Sequence, residues 1–202
     1  MHGAAAAVVT SRPYQLIARR VIVPWLLQGE RLSGQGLEIG AGSGAMTAQL
    51  LTAFPDLTMT ATDYGAGMVD KAARTLAPFG DRARAERADA TSLPFDDGRF
   101  DLVLSAAMLH HVIDWDKALA EAVRVLRPGG LLIGYDLLDT APIRLMHVGR
   151  GHDVRLMRPG QLEARLGRLP VTAVRSRPAL GGALLRFTAR KAGQGPEADG
   201  GP

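Results

Sequence analysis

The segment Leu37-Glu38-Ile39-Gly40-Ala41-Gly42-Ser43-Gly44 decides how the rest of the chain is interpreted. It places three glycines at alternate positions, after an apolar run and before residues 45–54, which have a helical pattern. Glycine allows a tight turn and brings the backbone close to a ligand. A helix that follows such a turn presents unpaired N–H groups to carboxylate or phosphate oxygens. We therefore predict a ligand-binding loop between a buried strand and a helix.

Short apolar runs alternate with helical stretches from residue 36 onward. The predicted strands are residues 36–39, 57–62, 83–88, 100–105 and 131–135. The predicted helices are residues 45–54, 66–76 and 116–126, and we expect Pro128-Gly129-Gly130 to stop the last of them. This alternation is typical of parallel strands joined by right-handed crossovers. The sequence therefore predicts an α/β fold with a doubly wound, Rossmann-like sheet.

The pattern changes after residue 140. Residues 159–169 have a helical pattern, and residues 171–177 and 184–190 have the pattern of strands. The two strands are separated by Ala179-Leu180-Gly181-Gly182, and a short connection with glycine favours an antiparallel hairpin. The complete prediction is a mostly parallel, seven-stranded sheet with a C-terminal antiparallel hairpin.

The length and composition predict one domain with less regular ends. The chain has 202 residues, of which 47% are hydrophobic, and this is enough to form a sizeable core. We predict an N-terminal helical segment over residues 1–35, a main domain over residues 36–191 and a disordered tail over residues 192–202. Within the first segment residues 14–27 look helical despite Pro24, as a substrate lid or as a packing helix.

Several classes of protein and site are excluded by composition. The chain has no cysteine, so disulfides, zinc–thiolate sites and thiol nucleophiles are ruled out, and we predict no metal site. No apolar run reaches the roughly 18–20 residues that span a bilayer. The apolar run at residues 4–9 is shorter than the core of a signal peptide, so we expect no export signal. The predicted location is the cytoplasm.

The net charge of +4 is unevenly distributed along the chain. Residues 36–140 carry −6, whereas residues 141–191 carry +9. The basic part contains a single aromatic residue, Phe187, which leaves little to stack on bases, so nucleic acid is not an expected partner. Four of its arginines could meet a carboxylate or phosphate on a substrate, or form a solvated surface: Arg144, Arg150, Arg155 and Arg158.

The glycine segment also fits the pattern Gly-x-Gly-x-x-Ala through Ala45, so a nicotinamide dinucleotide has to be considered. Glu38 precedes the first glycine by two residues, and Asp89 ends the third predicted strand. A carboxylate at position 38 favours a cationic ligand and repels a pyrophosphate. The chain also lacks a Tyr-x-x-x-Lys pair for hydride transfer. A cationic ligand is therefore favoured over a dinucleotide.

Five blocks of sequence, in order and with similar spacing, resemble the motifs of class I S-adenosylmethionine-dependent methyltransferases. They are Leu37 to Gly44 as quoted above, Thr62-Asp63-Tyr64-Gly65-Ala66-Gly67-Met68, Ala88-Asp89-Ala90, Phe100-Asp101-Leu102-Val103-Leu104-Ser105 with Met108-Leu109-His110-His111-Val112, and Arg124-Val125-Leu126-Arg127-Pro128-Gly129-Gly130. Within that family the chain most resembles small bacterial enzymes that act on small molecules, quinone precursors or lipids. The resemblance implies that residues 36–191 form a methyltransferase domain.

The resemblance implies S-adenosylmethionine as the cofactor and methyl transfer to a small organic acceptor. It implies that Asp63 accepts hydrogen bonds from both ribose hydroxyls, that Asp89 binds the adenine amino group, and that Tyr64 and Met68 pack on the adenine. The remaining expected cofactor contacts are Glu38, Gly40, Ala41, Gly42, Gly44, Ala90 and Ser105. A nicotinamide-dependent oxidoreductase and a non-catalytic protein that only binds S-adenosylmethionine remain as alternatives.

Catalysis needs a base only where the acceptor atom loses a proton, and histidine suits that role near neutral pH. His110 and His111 follow the fourth predicted strand, at the sheet edge where ligands bind in open α/β sheets, so they are the expected catalytic residues. Weaker candidates for the base are His147 and His152, and Asp136 and Asp139 either orient the substrate or belong to a solvated loop. The expected partner is a small acceptor that can be anionic, and the protein is expected to be a monomer or a homodimer.

Overall fold

The computed structural model describes residues 18–147 and 155–193. The strands are β1 (Gly34–Ile39), β2 (Leu57–Asp63), β3 (Ala83–Arg87), β4 (Phe100–Ala106), β5 (Leu126–Leu137), β6 (Val171–Ala179) and β7 (Leu184–Lys191). The helices are α1 (Val23–Leu27), α2 (Ala45–Ala53), α3 (Ala66–Leu76), α4 (Trp115–Val125), α5 (Ala141–His147) and α6 (Gln161–Leu166). A π-helical turn, Ala18–Ile22, precedes α1, and 3-10 turns form at Ala77–Arg82, Leu109–His111 and Leu180–Gly182.

The strands form one sheet in the order β3-β2-β1-β4-β5-β7-β6. β1 to β5 pair in parallel, whereas β7 pairs antiparallel with both β5 and β6. The predicted doubly wound sheet and its C-terminal hairpin are therefore confirmed. The carboxyl ends of β1 to β5 lie at one edge of the sheet, and we call this the carboxyl edge.

The two faces of the sheet support two separate hydrophobic cores. Successive side chains of a strand point to opposite faces, so one strand can contribute to both cores. The core on the side of α4 and α6 contains Leu37, Ile39, Val103, Leu132 and Phe187. The core on the side of α1, α2 and α3 contains Leu102, Leu104, Leu131, Ile133 and Leu26. The central strands are covered on both faces, which explains their nearly continuous apolar sequence.

The end of α4 differs from the sequence prediction. The helix ends at Val125, and Leu126 already has extended dihedral angles and pairs with Phe100 of β4. Pro128-Gly129-Gly130 therefore lies inside β5 and does not stop the helix. Gly130 approaches β4 so closely that an added Cβ would lie 3.2 Å from the Phe100 carbonyl oxygen. The helix therefore ends because Leu126 pairs with β4, and not because of the proline and the glycines that follow.

The helix predicted near the C-terminus is shorter than expected. The helix predicted over residues 159–169 spans only Gln161–Leu166, because Gly160 has a positive φ of +85° and caps its start. In the N-terminal helix the described part is the π-helical turn followed by α1, and residues 14–17 lie outside the described residues. Pro24 lies in the first turn of α1, directly after the π-helical turn, so the predicted helical stretch accommodates it. Leu26 is fully buried, so α1 packs into the core that it shares with α2 and α3.

Most of the tail predicted over residues 192–202 also lies outside the described residues, which end at Gly193. Within residues 18–147 and 155–193, every helix is too short or too polar to cross a membrane.

Candidate functional site

The three glycines of the quoted segment all have positive φ angles: +65° at Gly40, +56° at Gly42 and +75° at Gly44. An added Cβ at Gly40 would lie 2.7 Å from the Met108 Cβ, so the segment after β4 closes directly over the end of β1. Nothing lies within 4 Å of the corresponding position at Gly42. Gly40 is therefore required by packing, whereas Gly42 faces open space at the carboxyl edge.

Asp63, the last residue of β2, joins the glycine loop to the next loop along the edge. Its Oδ2 accepts a hydrogen bond from the Gly42 N–H at 2.9 Å, and its Oδ1 accepts one from the Gly65 N–H at 2.9 Å. The Ala41 N–H donates to the Thr62 carbonyl oxygen at 2.8 Å. The structure thus brings Asp63 and the loop together, as the sequence predicts, and shows that Asp63 also positions the loop.

Glu38 lies beneath the first turn of α2 and is 2% exposed. Its Oε2 accepts hydrogen bonds from the Thr47 N–H, at 3.0 Å, and from the Thr47 hydroxyl. A carboxylate there also interacts favourably with the helix dipole. Burial raises the pKa of Glu38 to about 7, the negative charge of Asp63 adds to the rise, and the two Thr47 bonds oppose it. Glu38 therefore caps α2, a role that the sequence did not reveal because Thr47 is nine residues away.

The residues after β3 meet the same edge. The Ala88 N–H donates to the Asp63 carbonyl oxygen at 3.1 Å, which places Asp89 next to the end of β2. Asp89 is exposed, and its Oδ1 accepts hydrogen bonds from the N–H and the hydroxyl of Thr91, both at 2.8 Å. Ala90 is half-buried against the core. Asp89 thus adds a third carboxylate to the edge in a tight turn.

Tyr64 and Met68 flank this group on the side of α3. The Tyr64 ring is 67% exposed, and the Arg87 guanidinium lies 5.6 Å from its centroid. Met68 is half-buried in the first turn of α3. The packing of both side chains on a ligand remains a prediction, and an exposed aromatic ring at the edge is compatible with it.

Ser105 lies in β4, between Ile39 of β1 and Gly134 of β5. Its side chain is fully buried, and its hydroxyl has no hydrogen-bond partner among the described residues. A buried hydroxyl without a partner costs about 1–3 kcal/mol. Ser105 is therefore a buried polar position in the sheet whose hydroxyl is unsatisfied by the described residues.

His110 and His111 differ in their surroundings, which the sequence did not show. His110 is 3% exposed, and its Nδ1 lies 2.5 Å from the Asp136 Oδ1, whereas His111 is exposed. The two rings are 4.0 Å apart between centroids. The carboxylate favours the tautomer with a proton on Nδ1, which leaves the lone pair of neutral His110 on Nε2. The structure therefore favours His110 as a base that is oriented by a carboxylate.

Asp136 is fully buried at the end of β5 and accepts two backbone hydrogen bonds in addition to the histidine contact. The donors are the N–H groups of Leu109 and Leu137, each at 2.7 Å. The sequence left open whether Asp136 orients a substrate or is solvated. Its place in an apolar strand, on the same face as Leu132, was the available signal that this carboxylate is buried and needs partners.

The candidate acceptor-binding side chains that are described have structural partners or are solvated. Arg144 forms an ion pair with Asp139 at 2.8 Å. The Arg155 guanidinium donates to the Ile113 carbonyl oxygen at 2.6 Å, and its N–H donates to the His110 carbonyl oxygen at 2.9 Å. Arg155 therefore stabilises the turn that carries the histidines.

Arg158 is exposed; its backbone N–H donates to the Gln161 side-chain oxygen, and its carbonyl oxygen accepts from the Gln161 N–H. Arg150 and His152 lie outside the described residues, as does the side chain of His147. Within the described part of the chain, histidine and acidic side chains do not gather in a group of three or more that could hold a metal ion.

Comparison with known proteins gives a family match over the part of the chain that builds this edge. Residues 37–134 match the family described as methyltransferase domain. Demethylmenaquinone methyltransferase from Clavibacter sepedonicus is 36% identical over 141 residues, which are 70% of this chain and 53% of that protein. Malonyl-[acyl-carrier protein] O-methyltransferase from Geobacter sulfurreducens is 40% identical over 95 residues, 47% of this chain and 35% of that protein. The chain thus spans about half the length, or less, of these curated relatives.

The fold is shared with solved structures at low sequence identity. Phosphoethanolamine N-methyltransferase 2 from Haemonchus contortus, solved in complex with S-adenosyl-L-methionine, has a TM-score of 0.71 and 16% identity. The match covers 86% of this chain and 52% of that one. This similarity shows a common fold for the helices and the mixed sheet.

Glu38 should make the stability of the protein depend on pH. Its carboxyl has a pKa of about 7 in the folded protein and an ordinary value of 4.5, so the folded state binds more protons between these values. The free energy of unfolding should therefore fall as the pH rises from about 5 to 8. Glu38→Gln should remove this fall, because an amide does not titrate. Denaturant titrations at several pH values measure both effects. Glu86→Gln is the control, and an equal effect there would contradict the assignment to Glu38.

The glycine loop should respond unequally to alanine. Gly40→Ala should destabilise the protein by about 3 kcal/mol, because the new Cβ meets the Met108 side chain and the backbone has a positive φ. Gly42→Ala is the matched variant, with a similar φ and open space, and should cost about 1 kcal/mol. Thermal or denaturant unfolding measures the difference. Equal losses would show that Met108 does not close over Gly40.

Proposed function

Because the chain belongs to the class I S-adenosylmethionine-dependent methyltransferase family, we propose that it transfers a methyl group from S-adenosylmethionine to a small organic acceptor. One observation carries the proposal. The glycine loop is held open at Gly42 by Asp63, and Glu38 lies directly beneath it at the carboxyl edge. This arrangement offers backbone groups and negative charge to a cationic nucleoside.

The residues at the edge fit this cofactor in shape and in charge. The open position at Gly42 lets the backbone approach the ligand, and Glu38 Oε1 accepts no hydrogen bond from the described residues. The repulsion between Glu38 and Asp63, which contributes to the raised pKa of Glu38, is relieved by an ammonium or sulfonium group. We propose that Asp63 binds the ribose hydroxyls, that Asp89 binds the adenine amino group, and that Tyr64 stacks on the adenine ring.

The remaining proposed contacts surround these side chains. They are the loop residues Gly40, Ala41, Gly42 and Gly44, together with Met68, Ala90 and Ser105. When it is bound, the cofactor supplies an activated methyl group on a sulfonium. The chain must then align the acceptor atom and exclude water, which can account for much of the rate.

His110 is the proposed proton acceptor for acceptor atoms that carry a proton. In the tautomer set by Asp136, the Nε2 lone pair would take the proton that a hydroxyl or enol acceptor has to lose. Asp136 then stabilises the imidazolium, and the N–H groups of Leu109 and Leu137 hold the carboxylate in place. His111 lies beside it and is the competing candidate for the base.

The acceptor is proposed only as a class. The relatives named above act, according to their names, on demethylmenaquinone and on a malonyl-acyl-carrier protein, and the structural neighbour acts on phosphoethanolamine. Their acceptor atoms differ, so we propose the acceptor only as a small organic molecule and not as a nucleic acid. The charge of +9 over residues 141–191 favours an acceptor that carries an anionic group. We further propose a cytoplasmic monomer or homodimer, since the chain contains no cysteine for oxidised compartments.

Direct assay tests the proposal against its alternatives. The protein is incubated with methyl-labelled S-adenosylmethionine and a panel of phenols, quinols and carboxylic acids, and labelled product is measured. Transfer to at least one acceptor is expected. Binding of S-adenosylhomocysteine without transfer to any acceptor would favour a non-catalytic binding protein. The family match argues against the nicotinamide-dependent oxidoreductase, and calorimetric titration with NADH should show no binding.

Loss of the Asp63 carboxylate should weaken cofactor binding. Asp63→Ala is expected to reduce the affinity for S-adenosylhomocysteine at least tenfold, because a charge-assisted bond is worth about 1.5–3 kcal/mol. Asp70→Ala removes the same charge from an exposed position on α3 and should bind normally. Calorimetric titration measures both affinities. Unchanged affinity in Asp63→Ala would show that the ribose does not bind at this carboxylate.

Replacement of the histidines should separate their roles once an acceptor is known. His110→Gln should lower kcat by about 100-fold or more, and Asp136→Asn by about tenfold or more, with little change in cofactor affinity. In His110→Gln the rate should rise steadily with pH, because the acceptor must lose its proton without help. Steady-state kinetics from pH 6 to 10 measure this profile. A greater loss in His111→Gln than in His110→Gln would assign the base to His111.

A further inference from the structure

Arg186 of β7 is a buried cation without a carboxylate partner. The residue is 3% exposed, and its Nε donates to the Leu26 carbonyl oxygen of α1 at 2.7 Å. Among residues 18–147 and 155–193 it forms no ion pair. A buried charge is normally paired, because its desolvation is otherwise uncompensated. The guanidinium therefore has unused capacity to bind an anion.

The charged side chains nearest to Arg186 make its surroundings more positive. Arg177 of β6 is the direct register partner of Arg186, and Arg175 lies two residues away on the same face of β6. Burial lowers the pKa of Arg186, and the charges of Arg177 and Arg175 lower it further, whereas Glu30 opposes them. Glu30 is itself paired with Arg190 at 2.8 Å. We call Arg175, Arg177 and Arg186 the arginine cluster.

Like charges directly opposite each other destabilise a pair of strands. Arg175 and Arg177 are exposed, so their guanidinium groups can turn away into solvent, but the buried Arg186 cannot. A small cavity beside Arg175 is lined by Thr188, Arg190 and Glu30 as well, and Arg175 is the one member of the cluster that reaches it. An anion bound between the guanidinium groups of Arg175, Arg177 and Arg186 would replace the repulsion by charge-assisted hydrogen bonds, for which the planar guanidinium is well suited.

The cluster lies close to the carboxyl edge. Arg186 pairs in register with Tyr135 of β5, whose ring contacts Trp25 of α1 edge-on with centroids 5.6 Å apart. Tyr135 directly precedes Asp136, the partner of His110. The cluster is therefore within one strand residue of the proposed catalytic pair, on the opposite face of the sheet, and two aromatic side chains lie beside it.

We propose that the arginine cluster is a binding site for an oxyanion, a carboxylate or a phosphate group, carried by the methyl acceptor. Binding of the anion follows from the cluster alone. Its assignment to the acceptor rests on the proposed methyl transfer. The site differs from the arginines that the sequence singled out: Arg144 is paired with Asp139 and Arg155 is exposed, whereas Arg186 is buried with no carboxylate partner among the described residues.

Thermal unfolding in the presence of inorganic phosphate tests the site without any methyl transfer. The wild type, Arg177→Gln and Arg186→Met are compared with Arg168→Gln, which removes an exposed positive charge beyond the end of α6. At about five times the dissociation constant, phosphate should raise the Tm of the wild type and of Arg168→Gln by about 2–4 °C over chloride at equal ionic strength. This rise should be lost in Arg177→Gln and in Arg186→Met.

The two cluster variants keep the test decisive. Arg186→Met removes a buried group, so Arg177→Gln, an exposed position in β6, gives the answer if that variant does not fold. An equal rise in Arg177→Gln and the wild type would show general exclusion of phosphate from the surface and overturn the proposal. No rise in the wild type with phosphate or with acetate would overturn it as well. A rise with acetate supports a carboxylate, and a rise with phosphate alone supports a phosphate group.

A second arm tests the assignment to the acceptor. With an acceptor identified by the labelled-methyl assay, Arg177→Gln should raise its KM at least tenfold and change kcat less than twofold. An unchanged KM would overturn the assignment to the acceptor but leave anion binding in place. If no acceptor is methylated at all, the proposed function fails, and the thermal shifts still decide whether the cluster binds an anion.

Discussion

Two carboxylates hold the glycine loop, and the geometry of the whole carboxyl edge depends on them. Glu38 binds the N–H and hydroxyl of Thr47 at the start of α2, and Asp63 binds the Gly42 N–H from the end of β2. The loop is therefore fixed to the strand before it and to the neighbouring strand. This arrangement has an electrostatic cost, because Glu38 is buried and close to Asp63, and both effects raise its pKa. A cationic ligand relieves that cost, so the same contacts that shape the loop also select the charge of what binds there.

The parts of the fold that follow from local sequence could be predicted, and those that depend on distant partners could not. The strand and helix alternation, the hairpin and the glycine loop all rest on patterns a few residues long, and the structure confirms them. The start of β5 was missed because pairing with Phe100 overrides the usual meaning of Pro128-Gly129-Gly130. Asp136 and His110 are 26 residues apart, and Arg186 and Leu26 are 160 apart, so no local pattern indicates either contact. The sequence therefore located the glycine loop better than the side chains that surround it.

The sheet separates two kinds of chemistry on its two faces. Asp136 points to the side of α4 and holds His110, whereas the adjacent residue Tyr135 points to the side of α1 and lies opposite Arg186. Successive side chains of a strand point to opposite faces, so Tyr135 and Asp136 lie on opposite faces at nearly the same distance from the carboxyl edge. Only a ligand at the carboxyl edge can reach both sides. In the proposed function an acceptor at this edge meets a base from one face and a cationic anchor from the other.

The uneven charge along the chain gives the two ends of the sheet opposite net charge. Residues 36–140 carry −6 and build the edge of β1, β2 and β3, whereas residues 141–191 carry +9 and build β6 and β7 at the opposite end of the sheet. In the proposed function a cationic cofactor is attracted to the first end and an anionic acceptor to the second, and β4 and β5 with His110 lie between them. Charge alone would thus orient the two ligands before any specific contact forms. The same field disfavours the reverse arrangement, because an acceptor anion beside Glu38 and Asp63 would be repelled. The positive charge of residues 141–191 therefore does not require a polymeric anion as partner, because it can also attract an acceptor that carries one anionic group.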